Sequence, residues 1–456
     1  MNRVAVRAGI TILLVLALIS GLVFFLCEYV SSSARWVVFP GSPHVYNGVN
    51  IGCGVITDAE GVLLLDMNGT RIYSNSEAVR KATVHLVGDR NGSVDAPALS
   101  AYSAELAGYD ILNGLYSYGD VKGVARLTVS VEIQTAALEA LGNRKGTVGV
   151  YNYKTGELLC AVSTPAFDPD NVPDLDADTT GQLEGMYVNR FIQSLYIPGS
   201  IFKIVTLAAA LETIPDIQEQ KFVCNGTYSI GADTVTCESA HYEQNAKMAF
   251  RNSCNCVFAQ IAQQLGGQTL QQYAEQFGIT ESIQFDGVST ATGHFDVADA
   301  AQLNVAWGGI GQYTDLVNPC AFMTFVGAIA NDGRGVQPYL VADVTAGGIK
   351  SYDAGRTVRD RIMSASTART LQDYMGFNVT DKYGSGNFPG MTVCAKTGTG
   401  EVGGGKRPNA TIAGFVADDA YPVAFVVVVE EGGYGADACI PILSQVLSEC
   451  KEYLDR

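Results

Sequence analysis

Hydrophobic and polar positions along this chain fall into stretches of distinct texture. Ala8–Cys27 is a run of twenty residues without a charge. At about 1.5 Å per residue a helix of that length spans roughly 30 Å, the thickness of a bilayer's hydrocarbon core. Arg3 and Arg7 precede the run and Glu28 follows it, a bias that puts residues 1–7 in the cytoplasm and everything after Cys27 outside. A cleaved signal peptide is the alternative, with Ser32-Ser33-Ala34 as its small-x-small site. Signal peptides carry an apolar region of about 7–15 residues, so a retained single-pass anchor over 8–27 is expected. From 28 to 125, strand-like runs at Gly61–Asp66 and Thr83–Val87 alternate with Gly-, Ser- and Asn-rich turns. This predicts a small irregular domain without chemistry of its own.

The texture changes near Arg126. Leu127–Val131 alternates like a strand and Ile133–Leu141 has helical spacing. Thr147–Tyr153 and Glu157–Ser163 form a predicted hairpin around Lys154-Thr155-Gly156. Pro165–Thr180 reads as an Asp- and Pro-rich loop, and Ser200–Gly278 as mainly helical. Met391–Thr397, Thr411–Val416 and Val423–Glu430 are predicted strands, and Ile440–Leu454 an amphipathic helix. Helices between N- and C-terminal strands predict an α+β fold: an antiparallel sheet flanked by helices, plus an all-helical subdomain.

Composition narrows the function. With 47% hydrophobic and 16% charged residues, disorder is excluded. The 29 basic and 46 acidic side chains leave a net charge of -17, which argues against a nucleic-acid partner. Eleven cysteines cannot all pair. Cys27 lies in the anchor; Cys224 and Cys237 flank a Gly-, Thr- and Ser-rich loop and could close a short ring, the alternative being that most of the thiols are small buried hydrophobes. Cys254 and Cys256, two apart on a helix, would point to nearly opposite sides. No metal and no cofactor is expected.

Three short motifs carry chemistry. In Tyr196-Ile-Pro-Gly-Ser-Ile-Phe-Lys203, Ser200 and Lys203 share one face of a helix start. A serine needs a base to become a nucleophile, and a desolvated lysine can be neutral enough to serve. Ser253-Cys-Asn255 opens the next predicted helix with a proton-relaying hydroxyl and an amide that both donates and accepts. Lys396-Thr397-Gly398-Thr399 ends an apolar strand whose edge can pair with an extended peptide, its ammonium and hydroxyls facing a carboxylate. Each has a decoy: Ser448…Lys451, Ser385-Gly-Asn387 and Lys154-Thr-Gly156. These sit in a polar helix, a turn and a hairpin tip, without partners. Gly400-x4-Gly405-Lys406 imitates a phosphate loop, but Arg407 stands where Ser or Thr is required.

In the order S-x-x-K, S-x-N, K-T-G-T, the trio matches the signature of penicillin-recognising serine enzymes. The chain resembles the class B penicillin-binding proteins, membrane-anchored D,D-transpeptidases that cross-link peptidoglycan. Ala125-Arg-Leu-Thr-Val129, Thr155-Gly-Glu-Leu-Leu159, Ser163-Thr-Pro-Ala-Phe-Asp168 and Gly309-Ile-Gly-Gln312 extend the likeness through the catalytic domain, and Thr83-Val-His-Leu-Val-Gly88 into the N-terminal one. The resemblance implies a tail (1–7), an anchor (8–27), a pedestal or dimerisation-like domain (28–125) and a transpeptidase domain (126–456). It implies Ser200 as nucleophile, Lys203 as base and Ser253 as proton relay. Asn255 would hold the substrate amide; Lys396, Thr397, Gly398 and Thr399 would bind the substrate or β-lactam carboxylate. The N–H groups of Ser200 and Thr399 would form the oxyanion hole. Implied partners are D-Ala-D-Ala stem peptides, β-lactams and a SEDS-type glycan polymerase, met outside the cell membrane. In place of the family's frequent Ala-Glu, Gly400 and Glu401 follow the third motif.

The alternatives are a D,D-carboxypeptidase, which uses water as acceptor, and a non-catalytic scaffold of a wall-building complex. Intact Ser200, Lys203 and Lys396 weigh against the scaffold. No G-x-S-x-G occurs, and no E-x-x-N of a class A β-lactamase.

Overall fold

The computed structural model describes residues 2–39, 41–115 and 122–456. Its first element, helix α1 (Asn2–Val37), has a mean hydropathy of 2.9 over its most apolar stretch, all of it outside the protein interior. One such helix fits a single-pass membrane anchor. It runs past Cys27, and its last turns dock on the domain that follows. There Ser32 and Ser33 are buried, Tyr29 donates to the Ile111 carbonyl (2.8 Å) and Tyr109 to Ser33 Oγ (2.6 Å).

Strands β1 (Val55–Thr57), β2 (Leu63–Asp66) and β3 (Ile72–Tyr73) lead into helix α2 (Glu77–Val87). This corrects the strand expected at Thr83–Val87. Ser76 Oγ caps α2 at the Val79 N–H, and Val79, Ala82, Thr83 and Leu86 recur at helical spacing on the buried face. The cap and that burial outweigh the β-preference of the Thr and Val side chains. Strand β4 (Gly123–Leu127) lies earlier than the expected 127–131, because Ser130 instead caps helix α3 (Val131–Leu141).

The hairpin β5 (Gly146–Asn152) and β6 (Leu158–Thr164) is as expected, and helix α4 (Lys203–Thr213) follows. One stretch adds to the helical subdomain. Four short strands, β7 (Phe222–Cys224), β8 (Thr227–Ile230), β9 (Asp233–Thr236) and β10 (Tyr242–Gln244), form ribbons β7·β10 and β8·β9. Helix α5 (Asn255–Leu265) and the apolar helix α6 (Pro319–Ala330) come next, then β11 (Val341–Ala346), β12 (Ile349–Asp353) and helix α7 (Ala365–Asn378). Strands β13 (Val393–Gly400), β14 (Asn409–Val416) and β15 (Val423–Val429) precede the closing helix α8 (Gly435–Leu454).

Two sheets organise the molecule. The first, in order β12-β11-β4-β1-β2-β3, is mixed, with β1 and β4 parallel. Its strand β4 pairs with β1 on one side and β11 on the other, and Arg126 of β4 forms an ion pair with Asp343 of β11 (2.5 Å). The second, β13-β14-β15-β5-β6, is antiparallel throughout. Every residue of β5, β6, β14 and β15 is buried, which explains their near-continuous apolar sequence. Helices α3 and α8 cover one face, with Ile133, Leu141, Leu443 and Val446 in that core; Phe322 and Val326 of α6 pack on the other. Strand β13 is an edge, and it carries the third motif.

Candidate active site

Ser200 sits in a single 3-10 turn, Gly199–Phe202, that runs directly into α4. Lys203, three residues on, is fully buried and its Nζ lies 2.7 Å from Ser200 Oγ. Glycine sets the turn against β13. Gly199 has φ +57, and a Cβ there would collide with the Thr399 carbonyl oxygen. Opposite it, a Cβ on Gly398 would lie 2.6 Å from the Pro198 oxygen. The nucleophile's turn and the third motif therefore touch backbone to backbone.

The second motif arrives from the other side. Ser253 ends the helix Ala246–Asn252 in a left-handed conformation (φ 55, ψ 37), and Asn255 opens α5. This bend aims three oxygens at Lys203: Ser253 O (3.0 Å), Ser253 Oγ (3.3 Å) and Asn255 Oδ1 (2.8 Å). Asn255 Nδ2 donates in turn to the Thr236 carbonyl (3.0 Å). Lys396, also buried, donates to Ser253 Oγ (3.0 Å) and to the Thr397 carbonyl (2.7 Å). One hydroxyl thus bridges two amines, a route for a proton between the motifs.

Burial pushes the Lys203 amine down to about 7, and Lys396 falls well below the usual lysine range through burial and the neighbouring Lys203 charge. Two buried amines sharing one hydroxyl give up a proton far more readily than solvated lysines. Near neutral pH an uncharged amine is thus available beside Ser200.

All eight site residues named from the sequence come together, and the decoys do not. Lys154 projects from a hairpin toward Asn331, Ser385–Asn387 is a 3-10 turn, and Lys451 pairs with Asp455 (2.8 Å). In the Gly400–Lys406 segment a strand follows rather than a helix, and Lys406 lies 3.6 Å from Glu431. Two residues were missed. Gln312 Nε2 donates to the Thr399 carbonyl (2.7 Å), and its Oε1 accepts from the Glu401 N–H (3.3 Å). Tyr383 Oη accepts the Thr397 N–H and lies 3.1 Å from Thr397 Oγ1. Gln312 had a signal, since it closes the Gly309-Ile-Gly stretch whose Gly311 O accepts from the Gly199 N–H (3.0 Å). Tyr383 had none.

Cys224 and Cys237 converge as free thiols rather than as a closed ring, together with His241 and Cys254. Cys254 Sγ lies 3.9 Å from Cys237 Sγ and Cys256 Sγ 3.9 Å from the Val235 carbonyl, and both thiols neighbour Cys224 and Cys237.

Fold and site together define a serine acyl-transfer centre on an α+β scaffold. The model of the penicillin-binding protein transpeptidase domain matches residues 146–448. The peptidoglycan D,D-transpeptidase PbpA of Mycolicibacterium smegmatis is 30% identical over 335 residues, 67% of this chain and 67% of the relative. The D,D-transpeptidase domain of a peptidoglycan glycosyltransferase from Eggerthella lenta is 28% identical with a TM-score of 0.75, covering 88% of this chain and 98% of that one. Penicillin-binding protein A of M. tuberculosis, solved as its imipenem acyl-enzyme, is 25% identical with a TM-score of 0.75, over 87% and 98% of the two chains. The chain belongs to the penicillin-binding protein transpeptidase family, as a class B penicillin-binding protein.

Proposed function

We propose that this protein is a serine D,D-transpeptidase that cross-links peptidoglycan stem peptides and is acylated by β-lactams at Ser200. The observation that carries this reading is the 2.7 Å approach of a buried Lys203 amine to Ser200 Oγ, facing the edge strand β13. Neutral Lys203 takes the hydroxyl proton as Oγ bonds to the penultimate D-Ala carbonyl carbon. The C–N bond then breaks, and Ser253 passes the proton to the departing D-Ala amine. Lys396, Thr397 and Thr399 hold the terminal carboxylate, Gly398 lets the Ser200 turn pack directly on the carboxylate-binding end of β13, and Asn255 holds the substrate amide. The Ser200 and Thr399 N–H groups receive the developing oxyanion. An amine from a second stem peptide attacks the acyl-enzyme, forming the cross-link and freeing Ser200. A β-lactam opens at the same carbonyl, but its leaving nitrogen stays tethered, so the acyl-enzyme persists.

The reading places residues 1–7 inside, the anchor at 8–27, a pedestal at 28–125 and the catalytic domain outside the cell membrane at 126–456. Arg3 and Arg7 before the span and Glu28 after it support that orientation. A SEDS-type glycan polymerase in the same membrane would supply the strands.

Fluorescent penicillin labelling of the full chain in detergent, wild type beside Ser200→Ala, tests this. A stable covalent band is expected from the wild type and none from the variant. No band from folded wild type would overturn the catalytic reading, and rapid turnover of the label would make it a β-lactamase. Stem peptide supplied with and without an amine acceptor then separates cross-linking from carboxypeptidase hydrolysis.

A further inference from the structure

Behind the second motif, three thiols and an imidazole meet at one point. Cys224 ends β7, Cys237 and His241 lie in the connection between β9 and β10, and Cys254 precedes α5, so three chain segments deliver four donors. The spacing is C-x12-C-x3-H-x12-C. The four donor atoms all lie within 4.8 Å of one another. His241 Nδ1 is 3.5 Å from Cys237 Sγ and 3.7 Å from Cys224 Sγ, and Cys237 Sγ is 3.9 Å from Cys254 Sγ.

These three separations match the edges of a metal-centred tetrahedron, and the other three stay within 4.8 Å. With Zn–S of about 2.3 Å and Zn–N of about 2.05 Å, a tetrahedral zinc site has S···S edges of about 3.8 Å and S···N edges of about 3.6 Å. We propose that Cys224, Cys237, His241 and Cys254 bind one structural zinc ion, a site closed by four protein donors.

The surroundings fit that assignment. Ser239 Oγ lies 3.3 Å from His241 Nε2, a partner that fixes the ring and leaves Nδ1 for the metal. The Asn255 and Cys256 N–H groups, at the start of α5, face the Cys237 sulfur. Soft thiolates with one imidazole select zinc over magnesium or calcium. Binding displaces three thiol protons, and a dication with three thiolates and a neutral imidazole carries a net charge of -1. A disulfide would use two of the sulfurs and leave the third with the imidazole; zinc uses all four donors. Along the sequence this site is hidden, because the nearest cysteine to Cys254 is Cys256, two apart on a helix, while the imidazole and the other two thiols lie 13 or more residues away.

The metal would fasten both short ribbons to the tripeptide Ser253-Cys254-Asn255. Its flanking members are the ones that reach Lys203, so the zinc sits behind the wall of the crevice. That consequence, unlike the binding itself, rests on the transpeptidase reading.

The test is the zinc content of the full chain, purified in detergent with reductant and zinc and then dialysed free of both. One zinc per chain is expected by elemental analysis, lost in Cys237→Ser and in His241→Ala and kept in Cys394→Ala. Cobalt in its place should give the thiolate-to-cobalt charge-transfer band, absent from the same two variants. Folded wild type holding no more zinc than a Cys237→Ser/His241→Ala double variant would overturn the proposal. So would a disulfide joining two of the three cysteines in the mass spectrum of the unreduced chain. Penicillin labelling is read separately: metal bound without labelling sinks the catalytic reading alone, and labelling without metal sinks the zinc alone.

Discussion

Two polar clusters share the tripeptide Ser253-Cys254-Asn255, and they are built in different ways. On one side Ser253 and Asn255 face the Lys203 and Lys396 amines, between α4, α5 and the edge of a sheet whose inner strands are wholly buried. Glycines let the Ser200 turn and β13 meet backbone to backbone beside that crevice. On the other side Cys254 joins thiols and an imidazole carried by turns and strands of three or four residues. Much of β8–β10 is solvent-exposed, so little apolar burial holds it. Core packing can position a catalytic group; a small loop-rich lobe needs a local fastening.

If packing rather than the polar network holds the crevice, removing its central amine should cost chemistry and not stability. Lys203→Met is expected to slow penicillin acylation by about 10²–10⁴-fold, the usual worth of a positioned base. Its Tm at neutral pH should stay level or rise. A lysine whose folded pKa is lowered destabilises the fold as pH falls from its ordinary value toward about 7, and methionine removes that penalty. A Tm well below wild type would show that the network, not the packing, holds the crevice. Gly199→Ala attacks the packing directly, through a left-handed φ and a collision with the Thr399 carbonyl. It should cost about 1–3 kcal/mol of stability by overpacking and reduce labelling with it. Gly386→Ala, in open space at an ordinary φ, should leave thermal unfolding unchanged.

The same contrast explains what the sequence showed. The three motifs were legible because each packs its chemistry into three or four consecutive residues. The buried strands β5, β6, β14 and β15 were legible because, apart from a terminal Asn152 and Asn409, their residues are apolar or small. Thr83–Val87 misled because β-branched residues occupy a helix whose periodicity appears only from Val79 onward. Ribbons β7–β10 were missed because they bury few side chains and so show little period. The Cys/His cluster has donors spread over thirty-one residues (224–254) and is defined only by tertiary proximity. Tyr383 reaches Thr397 across a turn no pattern announces.

The pH profile of acylation separates the clusters again. Lys203 faces Ser200, Ser253 and Asn255, with Lys396, Lys382, Glu238, Cys237 and Cys254 supplying the surrounding charge. The base must be uncharged to take the Ser200 proton. Acylation should therefore rise with pH and level off above about 7, falling about tenfold per unit on the acid side. A profile flat from pH 5 to 9 would remove Lys203 from that role.

The smallest effect is expected at Gln312, which belongs to neither cluster and touches only the rim of the crevice. Its Nε2–H to the Thr399 carbonyl (2.7 Å) and its Oε1 to the Glu401 N–H (3.3 Å) hold the outer end of β13 without reaching Ser200 or either lysine. Gln312→Ala should lose hydrogen bonds worth about 0.5–1.5 kcal/mol each, slowing acylation by roughly three- to tenfold. As a positioning residue it should weaken apparent β-lactam binding more than the limiting acylation rate, and leave the pH midpoint where it was. A shifted midpoint would mean that the edge of β13 and the buried amines are coupled, and the crevice would then be one unit with its rim.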